Sequence, residues 1–124
     1  MIDFQNSTFV KLHLVDDDKF SELVTPLFVP GEKILSTYQG IRDGLVFTDK
    51  RIIAVNVEGI VGKKKDFTSL PYGRIQAFSV ETAGVMDLDS VLSLCITGIE
   101  IVRFEFESKA DIYAICRMIS ERVL

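Results

Sequence analysis

Residues 100–107 set Val102, Phe104 and Phe106 in alternation with Arg103, Glu105 and Glu107. A repeat of two belongs to a β-strand with one face buried and the other in water. It is the last of seven β-like segments, at 33–40, 44–48, 51–57, 63–70, 75–82, 88–97 and 100–107. Each is rich in apolar and β-branched residues and is bounded by Gly, Asp, Asn or Pro. No helical pattern separates them, which excludes a parallel βαβ sheet and leaves an antiparallel sandwich or partly open barrel. Thr48-Asp49-Lys50 and Thr97-Gly98-Ile99 read as tight hairpin connections.

After Glu107 the period changes. Ser108 with Asp111 three residues on resembles a capping box, and Ile112, Ile115, Cys116, Ile119 and Val123 form one apolar stripe. A helix of about fifteen residues would span ~22 Å, enough to close one end of a small barrel. A shorter helix is expected near the start, where Phe20, Leu23, Val24 and Leu27 follow Asp16, Asp17 and Asp18. The carboxylates suit the positive end of that helix, and Pro26 with Val29-Pro30-Gly31 stops it. The organisation expected is an N-terminal helical extension over 1–31 and one globular unit over 32–124. At 124 residues the chain can bury roughly two-thirds of its unfolded surface.

The charge balance narrows the partners. A net charge of −4 and a pI near 4.9 disfavour nucleic acid, whose phosphates need a positive face. No apolar stretch reaches the ~18 to 20 residues of a membrane-spanning helix, and no basic segment followed by an apolar run marks a signal peptide. The expectation is a cytoplasmic protein that a basic loop could bring to a membrane surface. Cys95 and Cys116 have neither CxxC nor Cys/His spacing and read as small buried hydrophobes. The Asn6-Ser7-Thr8 sequon reads as a chance match.

One run carries more information than its parts. Leu45-Val46-Phe47-Thr48-Asp49-Lys50-Arg51-Ile52-Ile53 is followed by Gly59, by Gly62-Lys63-Lys64-Lys65, by Leu70-Pro71-Tyr72 with Ile75, and by Val80-Glu81-Thr82-Ala83-Gly84 with Asp87-Leu88-Asp89. In this order the run resembles the bacterial pleckstrin-homology-like family over residues 32–124; Leu70 stands where that pattern carries isoleucine. The resemblance implies two nearly orthogonal antiparallel sheets of seven strands in all, capped by the C-terminal helix. It also implies self-assembly into closed rings, with a pentamer the size to consider, and no enzymatic activity. A fold by itself does not assign phosphoinositide binding.

Lys50, Arg51, Lys63, Lys64 and Lys65 are the candidate anion- or lipid-binding residues, because adjacent cations attract phosphate or an anionic head group. The competing reading is an edge strand whose lysines prevent edge-to-edge aggregation. Asp43, Asp49, Asp87 and Asp89 lack the spacing of a calcium loop and read as turn acceptors. His13, the single histidine, has no nucleophile or paired carboxylate beside it in sequence. No catalytic or nucleotide-binding motif is present, and no cofactor or metal is expected. The leading expectation is a homo-oligomeric scaffold or binding module. A peripheral adaptor for anionic membrane or another protein is the alternative, and a small-ligand carrier with a pocket between sheet and helix the third.

Overall fold

The computed structural model describes residues 1–5, 9–58, 64–84 and 89–124. Among these residues eight strands form two antiparallel sheets: β1 (His13–Val15), β2 (Ile34–Gln39), β3 (Asp43–Thr48), β4 (Arg51–Glu58) and β5 (Lys64–Pro71) in that order, and β6 (Ile75–Glu81), β7 (Ser90–Ile96) and β8 (Ile99–Phe106) in the other. The mainly β architecture with a terminal helix is the one read from the sequence, and strands β2 to β8 are the seven segments found there. β1 is new. Three residues are too few to show alternation, and pairing with β2 (His13↔Gln39, Leu14↔Tyr38, Val15↔Thr37) creates this strand.

Burial explains the composition of the central strands. Leu45, Phe47, Ile52 and Ala54 turn inward to meet Leu92, Leu94, Phe104 and Phe106 of the second sheet. The intervening Val46, Ile53 and Val55 are also buried, under Phe20 and Val24 of helix α1 (Asp18–Val24). β3 and β4 are therefore covered on both faces and need continuous apolar runs. Gly44 is required beneath α1, because a Cβ there would lie 2.5 Å from the Phe20 ring. Helix α2 (Ile112–Val123) adds Ile112, Ile115 and Ile119 to the main core.

Three local readings change. The N-cap of α2 is Asp111, whose Oδ1 accepts the Ala114 N–H at 3.0 Å, and not Ser108. Residues 107–110 form a separate turn, closed by the Ala110 N–H to the Glu107 carbonyl at 3.0 Å, so helical backbone begins later and the helix has 12 residues. At α1, Asp17 occupies the N-cap without a capping bond; its Oδ1 accepts from Thr37 Oγ1 at 3.2 Å and ties the helix to β2. Cys95 and Cys116 are free thiols, half-buried rather than buried.

The N-terminal residues stitch the two sheets together. Residues 9–12 lie along β8, with the Glu105 N–H donating to the Phe9 carbonyl (2.8 Å), Leu12 N–H to the Glu105 carbonyl (3.0 Å) and Glu107 N–H to the Leu12 carbonyl (3.0 Å). The chain then crosses to β2 as β1. Lys11 takes the left-handed conformation (φ 55°) at this crossover. Ile2, Phe9 and Leu12 belong to the same core as the sheets, and Phe9 meets Phe104 edge-on with ring centroids 5.3 Å apart. Among the described residues no helix is long and apolar enough to cross a membrane.

Candidate functional site

The four basic candidates among the described residues, Lys50, Arg51, Lys64 and Lys65, do not form one cluster. Lys50 is exposed in the β3–β4 turn, where its N–H donates to Thr48 Oγ1 at 3.0 Å. Beside it, the Arg51 guanidinium faces inward. Its Nε donates to Glu32 Oε2 (3.0 Å), one terminal nitrogen to Glu32 Oε1 (2.9 Å) and the Leu27 carbonyl (2.7 Å), and the other to Ser69 Oγ (3.1 Å). The Glu32 side chain is fully buried and also accepts from Thr48 Oγ1 (2.8 Å) and the Val29 N–H (3.1 Å). Burial pushes the Glu32 carboxyl up, but the hydrogen bonds from Arg51, Thr48 and Val29, with the Arg51 charge, outweigh it and hold its pKa below the ordinary value. Arg51 is thus engaged in holding the first sheet to residues 27–32.

Lys64 and Lys65 lie at the other end of the same strand pair. The register runs from Arg51↔Pro71 to Val57↔Lys65 and Glu58↔Lys64. Arg51 and Val57 are six residue steps apart along the strand, a span of ~20 Å. Lys63, Asp87 and residues 6–8 lie outside the described residues. The structure places Arg42 at the same end of the sheet as Lys65, two strand spacings or about 10 Å away: the Val57 N–H donates to the Arg42 carbonyl at 3.2 Å, and Val57 is the register partner of Lys65. Arg42 is exposed, and its neighbour Ile41 is 81% exposed at the tip of the β2–β3 turn. Arg42 stands 22 positions before Lys64, so only strand register could reveal the neighbourhood.

At that same end Asp43 is buried, and its Oδ1 has no hydrogen-bond partner among the described residues. Burial pushes its carboxyl up to about 6, against a smaller opposing pull from its own backbone N–H. Gly40 lies over it, because a Cβ there would collide with Oδ1. Of the other carboxylates, Asp49 accepts the Lys33 N–H at 2.9 Å across the turn, and Asp89 pairs with Lys11 at 3.2 Å. His13 sits on β1 with Nδ1 3.3 Å from the Lys11 carbonyl oxygen.

A cleft of about 540 Å³ opens between the first sheet and helix α2. Leu14, Leu35, Tyr38, Ala114, Ile115 and Met118 form its apolar walls, with Glu107, Lys109 and Asp111 at the rim. Burial, and then the Asp111 charge, raise the Tyr38 hydroxyl above its ordinary pKa.

Comparison with known proteins decides the family. The model of the bacterial PH domain matches residues 3–123. The chain belongs to the bacterial PH domain family. It is 44% identical over 101 residues to the uncharacterized protein YjqA of Bacillus subtilis (strain 168), covering 80% of this chain and 81% of that one. It is similar to the PH-domain protein of the DUF1696 family from Shewanella loihica PV-4, with a TM-score of 0.82 and 34% identity over 93% of this chain and 99% of the other. A pleckstrin homology domain from Shewanella amazonensis SB2B aligns with a TM-score of 0.69 and 36% identity, covering 89% and 90%. The family match takes in residues 3–31 as well as 32–123, so the stretch that carries β1 and α1 lies within the PH match.

Proposed function

We propose that this PH domain is a non-catalytic binding module that assembles with copies of itself into a closed ring, with a pentamer the first size to test. The observation that carries this reading is the edge of β6. Among the described residues Ile75–Glu81 pairs only with β7; it contains no Lys, Arg or Pro, and has Glu81 as its one charge. The other edges are blunted in recognisable ways. β5 carries Lys64, Lys65 and Pro71, and its flank receives Met1, whose ammonium meets Asp66 at 3.1 Å, and Ile2, whose N–H donates to Thr68 Oγ1 at 3.0 Å. β8 is covered by residues 9–12, and β1, at three residues, is too short to join two sheets although its outer edge stays open to a few main-chain bonds.

Helix α2 packs against β6, and the β6 edge, without Lys, Arg or Pro, presents backbone donors and acceptors that a different surface of a second copy can satisfy; such head-to-tail contacts propagate around a ring when the rotation closes. Native mass spectrometry and light scattering of the full chain test the reading. A single multimeric mass that falls on Ser79→Lys, which puts a charge on the β6 edge, is the expected result. A monomer at tens of micromolar sinks it.

A second reading is favoured by the basic end. Arg42, Lys64 and Lys65 lie at the end of the first sheet that carries the exposed Ile41, with Glu58 opposite Lys64 as a counter-charge, a pattern suited to anionic lipid, where each cation near the surface contributes about 1 kcal/mol. Co-sedimentation with phosphatidylserine vesicles that is lost in a Lys64→Glu/Lys65→Glu variant supports it. Equal sedimentation with purely phosphatidylcholine vesicles removes it.

A further inference from the structure

Leu12 and Leu14 lie two positions apart on one extended stretch, and a period of two sends both side chains to the core side of the sheet. Leu12 is fully buried, whereas Leu14 is 63% exposed. The difference arises at the corner where the sheets part. Leu12 is bridged to Phe106 of β8, and beyond it the chain leaves β8 to follow β2. Nothing among the described residues covers the core side of β1 past that point, so a core-facing leucine stands bare beside α2.

Two hollows meet at this corner. The cleft of about 540 Å³ lies on one side of Leu14, and a shallower one of about 360 Å³, lined by Val15, Asp16 and Asp17, lies on the other. Leu14, Leu35 and Ser36 line both and form the ridge between them. Leu35 falls where the β2–β3 register slips, between Ile34 and Ser36. β1 is the outermost strand of its sheet, with one edge unpaired within that sheet. The charges around the hollows are unbalanced among the described residues: Asp16, Asp17, Glu107 and Asp111 face Lys109 alone.

We propose that this corner receives an extended peptide of a partner protein, laid along the free edge of β1, with alternate apolar side chains in the two hollows and basic residues against the acidic rim. Alternate side chains of a strand stand about 6.6 Å apart, which suits one hollow on each side of Leu14. Strand addition of this kind takes affinity from main-chain hydrogen bonds and selectivity from the side-chain pockets. Four carboxylates against one ammonium select basic flanks. This surface is separate from the β6 edge and does not depend on self-assembly.

The test uses two fluorescein-labelled peptides on the full chain. Both have leucine or valine at alternate positions; one has lysine at each end and the other glutamate. The lysine peptide is expected to bind saturably and about tenfold tighter than the glutamate peptide, with NMR shifts at the Ala114 and Met118 methyls. Leu14→Lys should weaken it by about tenfold at unchanged melting temperature, because the replaced side chain is already largely in solvent. The oligomeric mass is measured on the same samples. Peptide binding lost at unchanged mass supports the proposal, whatever that mass is. Equal affinity of the two peptides, no saturable binding, or binding that survives Leu14→Lys overturns it. A mass that falls in Leu14→Lys assigns the corner to a contact between copies and overturns it as well.

Discussion

Arg51 and Glu32 form a two-point ion pair, with Nε to Oε2 at 3.0 Å and a terminal nitrogen to Oε1 at 2.9 Å, around a carboxylate with no solvent exposure. Breaking such a pair from one side costs more than the pair contributes, because the remaining charge stays buried. Arg51→Met should therefore lower stability at neutral pH by about 3–5 kcal/mol in urea unfolding, and adding Glu32→Leu should recover much of that loss. The pH response should also invert. In the parent, Glu32 titrates below its ordinary value of 4.5 when folded, so its contribution is present above pH 4.5 and is lost as the pH falls through the folded pKa. Without Arg51, burial dominates, the folded pKa rises, and the loss comes as the pH increases.

Asp43 gives the opposite signature in the parent protein. Its folded pKa of about 6 lies above the ordinary 3.8, so its contribution is complete below pH 3.8 and is lost as the pH rises through 6. Asp43→Asn keeps the shape of the neutral form and should raise the melting temperature at pH 7 relative to the parent. The gap between the two should close below pH 4. Melting curves from pH 3.5 to 8 check this, and an equal gap at every pH would contradict it.

Gly44→Ala places a methyl group 2.5 Å from the Phe20 ring, forcing α1 away from Val46 and Ile53. Overpacking of this sort costs about 1–3 kcal/mol. The cost should shrink when Phe20→Leu is added, so a double-mutant cycle should return a coupling of at least about 0.5 kcal/mol.

Asp111→Ala removes the side-chain cap of α2 and should cost about 1 kcal/mol. Ser108→Ala, three positions upstream in the turn, should stay within about 0.5 kcal/mol. Comparing the two by chemical denaturation distinguishes the observed cap from the one that the Ser108–Asp111 spacing suggests.

Features that repeat over a few residues were legible in the chain itself. The alternation of Val102, Phe104 and Phe106, the stripe from Ile112 to Val123 and the Asp49 and Gly98 turns each depend on neighbours within about one helical turn or one hairpin. The double burial of β3 and β4 is not among the expectations above, although Leu45-Val46-Phe47 and Ile52-Ile53-Ala54-Val55 are runs too apolar for a sheet with one wet face. Adjacency along the chain groups the basic candidates, but their neighbours in space are different. Arg51 is drawn inward by Glu32, 19 positions earlier, and Arg42 shares an end of the sheet with Lys65 only through the β3–β4–β5 register.

Local sequence, then, determined which segments are strands or helices and which face of each is apolar, because those properties follow from backbone periodicity and side-chain hydration. Tertiary structure alone decided how the sheets join. Residues 9–12 bind β8 and residues 13–15 bind β2 through backbone hydrogen bonds that any side chain can make, so no pattern of residue types announces them. That crossover leaves Leu14 bare above two hollows, and it is why the best candidate for a binding surface lies in a stretch whose letters resemble neither a strand nor a site.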